Sequence, residues 1–166
     1  GTILRTSRCE EFMEEKGRLR GLEALRDAGI QDVIGIGGNG TIRGLYEFSK
    51  LGVNTVAIPG SIDNDIPYCD MSIGFDTAVN TVVSAINRIR DTATAHERIF
   101  IVEVMGRESG HIALTAGLAG GAESILIPEV PFDLDQVVER LKQGMKRGKL
   151  HSIIVVAEGC CGAYPL

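Results

Sequence analysis

Short apolar segments alternate with helical patterns along this chain, and the alternation limits the folds that it can adopt. The strand-like segments are residues 32–37, 54–60, 98–106, 124–127 and 151–157. The helical patterns are residues 14–28, 41–51, 75–94, 110–120 and 133–147. A helix between two strands favours a right-handed crossover and parallel pairing. The sequence therefore predicts an α/β fold, with an open, doubly wound and mainly parallel sheet and helices on both faces.

Size and charge narrow the class of protein. With 166 residues, of which 44% are hydrophobic, the chain can bury one core, so we expect a single α/β domain over residues 1–166. The net charge of −5 and the lack of a dense Lys/Arg run argue against nucleic acid or an anionic membrane as the main partner. The longest apolar runs, such as residues 153–157, are too short to cross a bilayer. We expect a cytoplasmic protein.

The cysteines are interpreted as free thiols. Cys9, Cys69, Cys160 and Cys161 lack the CxxC or Cys/His spacing that a zinc site needs. A strained disulfide between the adjacent Cys160 and Cys161 is the alternative, and a reducing cytosol disfavours it.

A polar or glycine-rich segment follows each predicted strand. These segments are "GGNGT" (37–41), "PGSIDND" (59–65), "MGRESG" (105–110), "PE" (128–129) and "EG" (158–159). In open parallel sheets, ligands bind outside the carboxyl ends of the strands. We therefore expect the five segments to converge on one edge of the sheet and to form one site.

The first segment is typical of a turn that binds phosphate. Gly37, Gly38 and Gly40 lie between a strand and a helix, with Thr41 at the predicted helix start. Glycines allow positive φ and close approach of a ligand, and the backbone N–H groups of such a turn suit an anion. A tight turn that needs glycine for packing alone is the alternative. The segment matches neither Walker A nor the GxGxxG spacing.

The second and third segments carry charged side chains. Asp63 and Asp65 flank Asn64, and two such carboxylates can divide the work of a base and of a ligand for a hydrated divalent cation. Side chains that only cap the local backbone are the alternative. Arg107 follows a strand, where a guanidinium can bind phosphate, although an ion pair with Glu108 would also explain it.

Taken together, these segments resemble the 6-phosphofructokinase family. The matching stretches are "GGNGT", "PGSIDNDI", "IGFDTAVNTVVSAINRIRDTATAHERIFIVEVMGRESGHIAL", "GGAE", "IPE" and "AEG", in the family's order, within residues 1–159. The family's chains begin with a further strand and glycine-rich turn and continue into a second lobe. The resemblance therefore implies an internal fragment of a longer enzyme, inactive by itself. A lipid or NAD kinase with a similar glycine turn is disfavoured by "PGSIDNDI" and "VMGRESG".

The resemblance implies transfer of a phosphoryl group from ATP, with Mg²⁺, to the 1-hydroxyl of fructose 6-phosphate. Asp63 would be the base that accepts the hydroxyl proton, and Ser61 would hold the transferring phosphoryl group. Asp65 and Asn39 would lie near the metal. The residues matching the nucleotide site are Gly38, Asn39, Gly40, Thr41 and Arg8.

The resemblance also implies sites for the sugar phosphate and for an effector. The positions that match sugar phosphate contacts are Met105, Gly106, Arg107 and Glu158. Arg98 matches an arginine that the family lends to a neighbouring subunit, which implies a homotetramer. Arg90 and Glu123 match positions that bind an allosteric nucleotide in bacterial members.

Two glycines indicate the phosphoryl donor, and two residues depart from the family's pattern. Gly40 and Gly60 fall where pyrophosphate-dependent members commonly have aspartate and lysine, so ATP is expected and pyrophosphate is the alternative. Asn39 stands where ATP-dependent members usually have aspartate, and Arg5 where glycine is more common. Either Asp65 and the substrate phosphates suffice for the metal, or the protein is a weakened or non-catalytic, regulatory variant.

Overall fold

The structure is a computed structural model in which residue 3 and residues 6–160 are described; Arg5 and Cys161 lie outside the described residues. The helices are α1 (Glu15–Asp27), α2 (Asn39–Lys50), α3 (Phe75–His96), α4 (His111–Ala119) and α5 (Leu134–Lys146). The strands are β1 (Asp32–Gly37), β2 (Asn54–Ser61), β3 (Ile73–Gly74), β4 (Ile99–Val104), β5 (Ser124–Leu126) and β6 (Ser152–Ala157). Short 3₁₀ helices cover Glu10–Met13 and Glu158–Cys160.

The predicted order of strands and helices is confirmed, and so is the α/β class. Every predicted element is present, and each of its ends lies within two residues of the predicted one. The strand pairs β1–β2, β4–β6 and β5–β6 are all parallel. The sequence pattern predicts a loop over residues 61–74, and the two-residue strand β3 inside it was missed. Within residue 3 and residues 6–160, we find no helix with the length and apolarity that a bilayer crossing requires.

The chain contains two compact units, residues 1–60 and 61–166. In the first unit, β1 and β2 pair from Asp32↔Asn54 to Gly37↔Pro59. Helix α2 packs so closely on β1 that a Cβ atom on Gly35 would lie 2.5 Å from Leu45 Cδ1. Glycine in this strand is therefore required by the contact between the helix and the strand.

The apolar sequence of residues 32–37 predicts a strand covered on both faces, but the described residues cover only one face of β1. Its side chains alternate in exposure, and Ile34 and Ile36 are 66% and 67% exposed. Val56 on the neighbouring β2 is also exposed. The β1–β2 pair therefore has one face packed against α2 and one apolar face that the described residues leave open.

In the second unit, three strands lie in the order β4-β6-β5. β6 is the central strand, and its register runs from Ile99↔Ser152 on one side and from Ser124↔Ile154 on the other. Its side chains are buried on both faces, as expected for a central parallel strand. The core around it also includes Phe75, Val79, Ile86, Val104, Ile112, Ala113 and Ala116.

Small residues bring α4 close to the sheet. A Cβ atom on Gly117 would lie 2.7 Å from Ile125 Cγ1, and Ala113 and Ala116 are fully buried. The close packing fixes α4 on the sheet, and the helix starts directly after the third polar segment.

Two of the cysteines, Cys9 and Cys69, are free thiols, as predicted, and Cys160 is buried.

The burial of β6 predicts that substitutions in this strand destabilise the chain more than substitutions at exposed positions. Ile153→Ala, at a fully buried position of β6, is expected to lower the free energy of unfolding by about 2–5 kcal/mol, because the cavity persists. The matched control is Ile101→Ala on β4, where the side chain is 69% exposed and little change is expected. Urea unfolding of both variants measures the difference, and equal losses would contradict the assigned core.

Candidate functional site

The turn between β1 and α2 belongs to the first unit and begins helix α2 earlier than predicted. Asn39 is the first helical residue, and Gly38 precedes it with φ −87° and ψ −163°. None of Gly37, Gly38 and Gly40 has the positive φ that glycine allows. Gly37 is needed instead for close packing, since a Cβ atom there would collide with the Thr41 side chain.

Gly40 has a different environment. Among the described residues, no atom beyond its own helix backbone and chain neighbours lies within 4 Å of a Cβ built on it. Asn39, Gly40 and Thr41 are exposed at the start of α2, and so is Arg8 in the irregular segment before the first 3₁₀ helix. The open space at Gly40 leaves room for a ligand at the amino end of a helix, where the backbone favours an anion.

Asp63 is a buried carboxylate just after β2. Its residue is 8% exposed, its N–H donates to Ser61 Oγ at 3.2 Å, and its carbonyl accepts from Ser109 Oγ at 3.2 Å. Strand β2 ends at Ser61, so both predicted residues lie at the carboxyl end of a parallel strand. The hydroxyls of Ser61 and Ser109 therefore hold the N–H and the carbonyl of Asp63 in place.

Asn64, between the two predicted carboxylates, shapes the loop. It has φ 54°, and its Oδ1 accepts from the Ser72 N–H at 2.8 Å. The backbone-capping interpretation thus holds for the amide, while Asp63 and the half-buried Asp65 carry the charge of this loop. Capping of the backbone is thus observed for Asn64, and the roles of the two carboxylates stay a prediction.

The turn after β4 is held by a carboxylate from the end of β6. Glu158 Oε1 accepts from the N–H of Gly106 at 3.1 Å and from the N–H of Arg107. Gly106 has φ 143° and Arg107 has φ 56°, so both lie in the backbone region that favours glycine. A Cβ atom on Gly106 would also collide with the Ser109 carbonyl. The exposed Arg107 side chain is thereby placed on a constrained backbone.

Two residues of this site were missed by the sequence analysis. Buried Ser109 connects the turn after β4 to the Asp63 carbonyl, across 46 residues of sequence. Glu129, after β5, accepts from the Gly110 N–H through Oε1 at 2.8 Å. The signal for both was their position in polar segments after strands. With them, four of the five predicted segments meet in the second unit; the convergence of the first segment stays a prediction.

The pKa of Asp63 is raised above its ordinary value. Burial is the largest cause, and the negative charges of Asp65 and Glu158 act in the same direction. The Arg107 guanidinium and the hydrogen bond with Ser61 lower the pKa and offset part of the shift. A carboxylate in such surroundings is a stronger proton acceptor than an ordinary aspartate.

Among the other predicted sugar phosphate residues, Met105 joins this site and Arg98 does not. Met105 is exposed directly after β4, whereas exposed Arg98 precedes that strand. The six residues of β4 span about 20 Å at the usual rise of a strand. Arg98 therefore lies at the opposite end of the strand from Arg107.

The predicted effector residues lie near the turn after α4. The Arg90 guanidinium donates to the Gly120 carbonyl and, at 3.1 Å, to the Gly121 carbonyl. Glu123 pairs with Lys149 at 2.6 Å and accepts from the Ile153 N–H. Burial would raise the pKa of Glu123, but these two partners outweigh it and lower the pKa. A cavity of about 260 Å³ adjoins Glu123 and Lys149. Its lining residues are Glu123, Ser124, Arg140, Leu141, Gly144, Arg147, Lys149 and Ser152.

The donor set of the second unit suits a metal that takes few protein ligands. Within residue 3 and residues 6–160, no group of three or more His, Cys, Asp and Glu side chains could enclose an ion. Mg²⁺ is commonly held by one or two carboxylates together with substrate phosphates and water. The half-buried Asp65 carboxylate, two residues after Asp63, is a ligand of that kind.

Comparison with known sequences identifies one family. The family model described as Phosphofructokinase matches residues 1–164. The ATP-dependent 6-phosphofructokinase of Natranaerobius thermophilus is 60% identical over 159 residues, which are 96% of this chain and 50% of that protein. The ATP-dependent 6-phosphofructokinase of Alkaliphilus metalliredigens is 58% identical over 166 residues, 100% of this chain and 52% of that protein. The chain thus spans about half the length of the curated relatives it matches.

Solved structures give the same likeness. The phosphofructokinase of Pichia pastoris in the T-state has a TM-score of 0.86 at 38% identity, covering 96% of this chain and 20% of that one. The pyrophosphate-dependent phosphofructokinase of Marinobacter aquaeolei has a TM-score of 0.83 at 27% identity, covering 96% of this chain and 43% of that one. Because proteins named for different donors share the fold, the fold does not discriminate between the donors.

The raised pKa of Asp63 predicts a dependence of stability on pH. As pH rises from the ordinary aspartate pKa to the raised folded value, the unfolded chain loses the proton first, so the free energy of unfolding falls. Asp63→Asn removes this loss, and its stability advantage over the parent is expected to grow between about pH 4 and pH 7. Urea unfolding at both pH values measures it. Asp70→Asn, at an exposed carboxylate of the same loop, is the control, and a constant difference for Asp63→Asn would contradict the assignment.

Proposed function

Because the chain belongs to the phosphofructokinase family, we propose that the whole protein containing it transfers the γ-phosphoryl group of ATP to the 1-hydroxyl of fructose 6-phosphate. The product is fructose 1,6-bisphosphate, and the reaction is the phosphotransferase step of glycolysis. The observation that carries the proposal is a buried aspartate of raised pKa beside an arginine at the carboxyl ends of parallel strands. Phosphoryl transfer needs positioning and charge neutralisation above all, and this arrangement supplies both.

Asp63 is the proposed base. Its carboxylate accepts the proton of the sugar 1-hydroxyl while the hydroxyl oxygen bonds to the γ-phosphorus and the bond from phosphorus to ADP breaks. Burial and the Asp65 charge raise its pKa toward the working pH, which is the condition under which a base is most effective. The Arg107 guanidinium and the hydrogen bond with Ser61 lower the pKa and offset part of this rise.

Ser61 and the turn after β4 are proposed to hold the phosphoryl group and the sugar phosphate. The Ser61 hydroxyl accepts from the Asp63 N–H and so lies beside the base. Met105, Gly106 and Arg107 form a constrained turn that Glu158 holds, and a guanidinium there can form two hydrogen bonds to a phosphate. Glu158 thus has a structural part in addition to the sugar contact expected from its family position.

The nucleotide and its Mg²⁺ are proposed to lie against the start of α2. Gly38, Gly40 and Thr41 would receive the phosphates, with Arg8 near the transferred group. Asn39 and Asp65 would hold the ion directly or through water, and Mg²⁺ would neutralise charge on the phosphates. The donor is assigned as ATP because Gly40 and Gly60 lack the carboxylate and ammonium common in pyrophosphate-dependent members.

Arg98 is proposed to act in a neighbouring copy, in a cytoplasmic homotetramer. It lies a strand's length from Arg107, so it cannot contact a sugar phosphate bound at Arg107 of its own chain. Arg90 and Glu123 are proposed to belong to an effector site for a nucleotide. The adjoining cavity supports this, since Arg140, Arg147 and Lys149 suit phosphate groups.

A coupled assay of fructose 1,6-bisphosphate formation by the whole protein, with ATP and with pyrophosphate in parallel, tests the proposal. We expect turnover with ATP alone. Asp63→Asn is expected to lower kcat at least about 100-fold, because the base is lost. The control Asp70→Asn is expected to retain the parent activity. Turnover with pyrophosphate would overturn the donor assignment, and full activity of Asp63→Asn would overturn the base.

A regulatory subunit without catalysis is the second candidate function, and Asn39 is the observation that favours it. Its neutral amide lacks the charge that a hard divalent cation prefers. Asn39→Asp in the whole protein restores that charge. A gain of tenfold or more in kcat/KM with ATP, about 1.4 kcal/mol of transition-state stabilisation, is expected if the lost charge limits catalysis. An unchanged value in an active enzyme would show that Asp65 and the phosphates suffice, and silence of both folded proteins would favour the regulatory subunit.

A further inference from the structure

Ser72 forms a buried hydrogen bond to the end of β2. Its hydroxyl donates to the Ser61 carbonyl oxygen at 2.6 Å, and the residue is only 2% exposed. A hydroxyl has one proton, so the approach of Ser72 Oγ to Asn64 Oδ1 at 3.2 Å is secondary. Because Ser72 itself is buried, little water is available there to replace a lost partner.

Asn64 closes the same loop from the other side. Its Oδ1 accepts from the Ser72 N–H at 2.8 Å, and its Nδ2 donates to the Asp70 carbonyl at 3.4 Å. Its φ of 54° lies in a region that asparagine tolerates better than most residues. One side chain therefore stabilises both the reversal of the backbone at Asn64 and its return at Ser72.

The residues next to Asn64 are the ones that the proposed reaction uses. Asp63 precedes Asn64 and Asp65 follows it, so the backbone conformation of Asn64 sets the relation between the two carboxylates. The Asp63 N–H donates to Ser61 Oγ at 3.2 Å, so a shift of the Ser61 carbonyl would also move the hydroxyl relative to the base. Ser72 is buried and the Asn64 amide is engaged by loop atoms, so both act through these neighbours.

We propose that Asn64 and Ser72, together the loop clamp, are positioning residues that fix Ser61 and Asp63 in the geometry needed for phosphoryl transfer. This inference rests on the proposed function, since it concerns the same site. A misplacement of about 1 Å at a reacting group costs about 100-fold in rate, so a loop held at two points has a direct effect on turnover. Binding of the sugar phosphate depends mainly on the turn at Arg107, which Glu158 holds. Loss of the loop clamp therefore affects this binding less than it affects turnover.

The test measures kcat and KM in the whole protein. Ser72→Ala is expected to lower kcat about 10- to 100-fold while KM for fructose 6-phosphate changes less than about threefold. Ser72→Thr retains the hydroxyl and is expected to restore kcat to within about threefold of the parent.

Ser49→Ala is the matched control, because it also removes a bond from a hydroxyl to a carbonyl, the one to Tyr46 at 2.8 Å in α2. It is expected to leave kcat unchanged. If Ser72→Ala does not fold, Asn64→Gly decides instead, since glycine accepts the positive φ and removes only the amide.

The outcomes separate the two proposals. An unsubstituted, folded protein that phosphorylates no sugar overturns the proposed function and this inference together. An active parent, with folded Ser72→Ala and Asn64→Gly variants that keep the parent kcat, overturns only the loop clamp. A loss of kcat that Ser72→Thr does not restore assigns the effect to packing and likewise overturns it.

Discussion

The hydrogen bonds from the Gly106 and Arg107 N–H groups to the Glu158 carboxylate are the interaction on which the candidate site depends. Residues in a turn of positive φ have no ladder partner for their N–H groups, and the N–H of the buried Gly106 would be costly to leave unpaired. A carboxylate supplied by the neighbouring strand satisfies both and joins the ends of β4 and β6. Ser109 then extends the connection to the Asp63 loop. The site is therefore built by hydrogen bonds between strand ends that are far apart in sequence.

The order of elements could be predicted because hydrophobic periodicity is a local property of the sequence. The location of most site segments followed from one rule of parallel sheets, that ligand sites lie at the carboxyl ends of strands. Contacts such as Ser109 to Asp63, or Glu129 to Gly110, could not be predicted, since no local pattern encodes a partner 46 or 19 residues away. The residue types were visible, but their pairing depends on the register of the strands.

The sequence alone does not tell why a glycine is present, because a positive φ, close packing or space for a ligand can each require it. Gly106 has the positive φ that a turn can require, Gly37 lacks a side chain because Thr41 occupies the space, and Gly40 adjoins open space. The sequence alone offered a phosphate-binding turn and a packing turn as alternatives. The structure assigns packing to Gly37 and leaves open space at Gly40, so the packing interpretation holds for the first of these glycines and phosphate binding at the second stays a prediction.

The two carboxylates on either side of Asn64 differ in burial, and this difference separates their proposed roles. Asp63 is removed from water, so its charged form is disfavoured and its proton affinity rises, whereas half-buried Asp65 contributes a negative charge that raises that affinity further. Neighbouring carboxylates in unequal surroundings are a usual basis for assigning a base and a charged ligand. Under the proposed function, a cation bound by Asp65 would offset that charge and lower the proton affinity of Asp63. Occupancy of the proposed metal site and the basicity of the proposed base would then be coupled through charge.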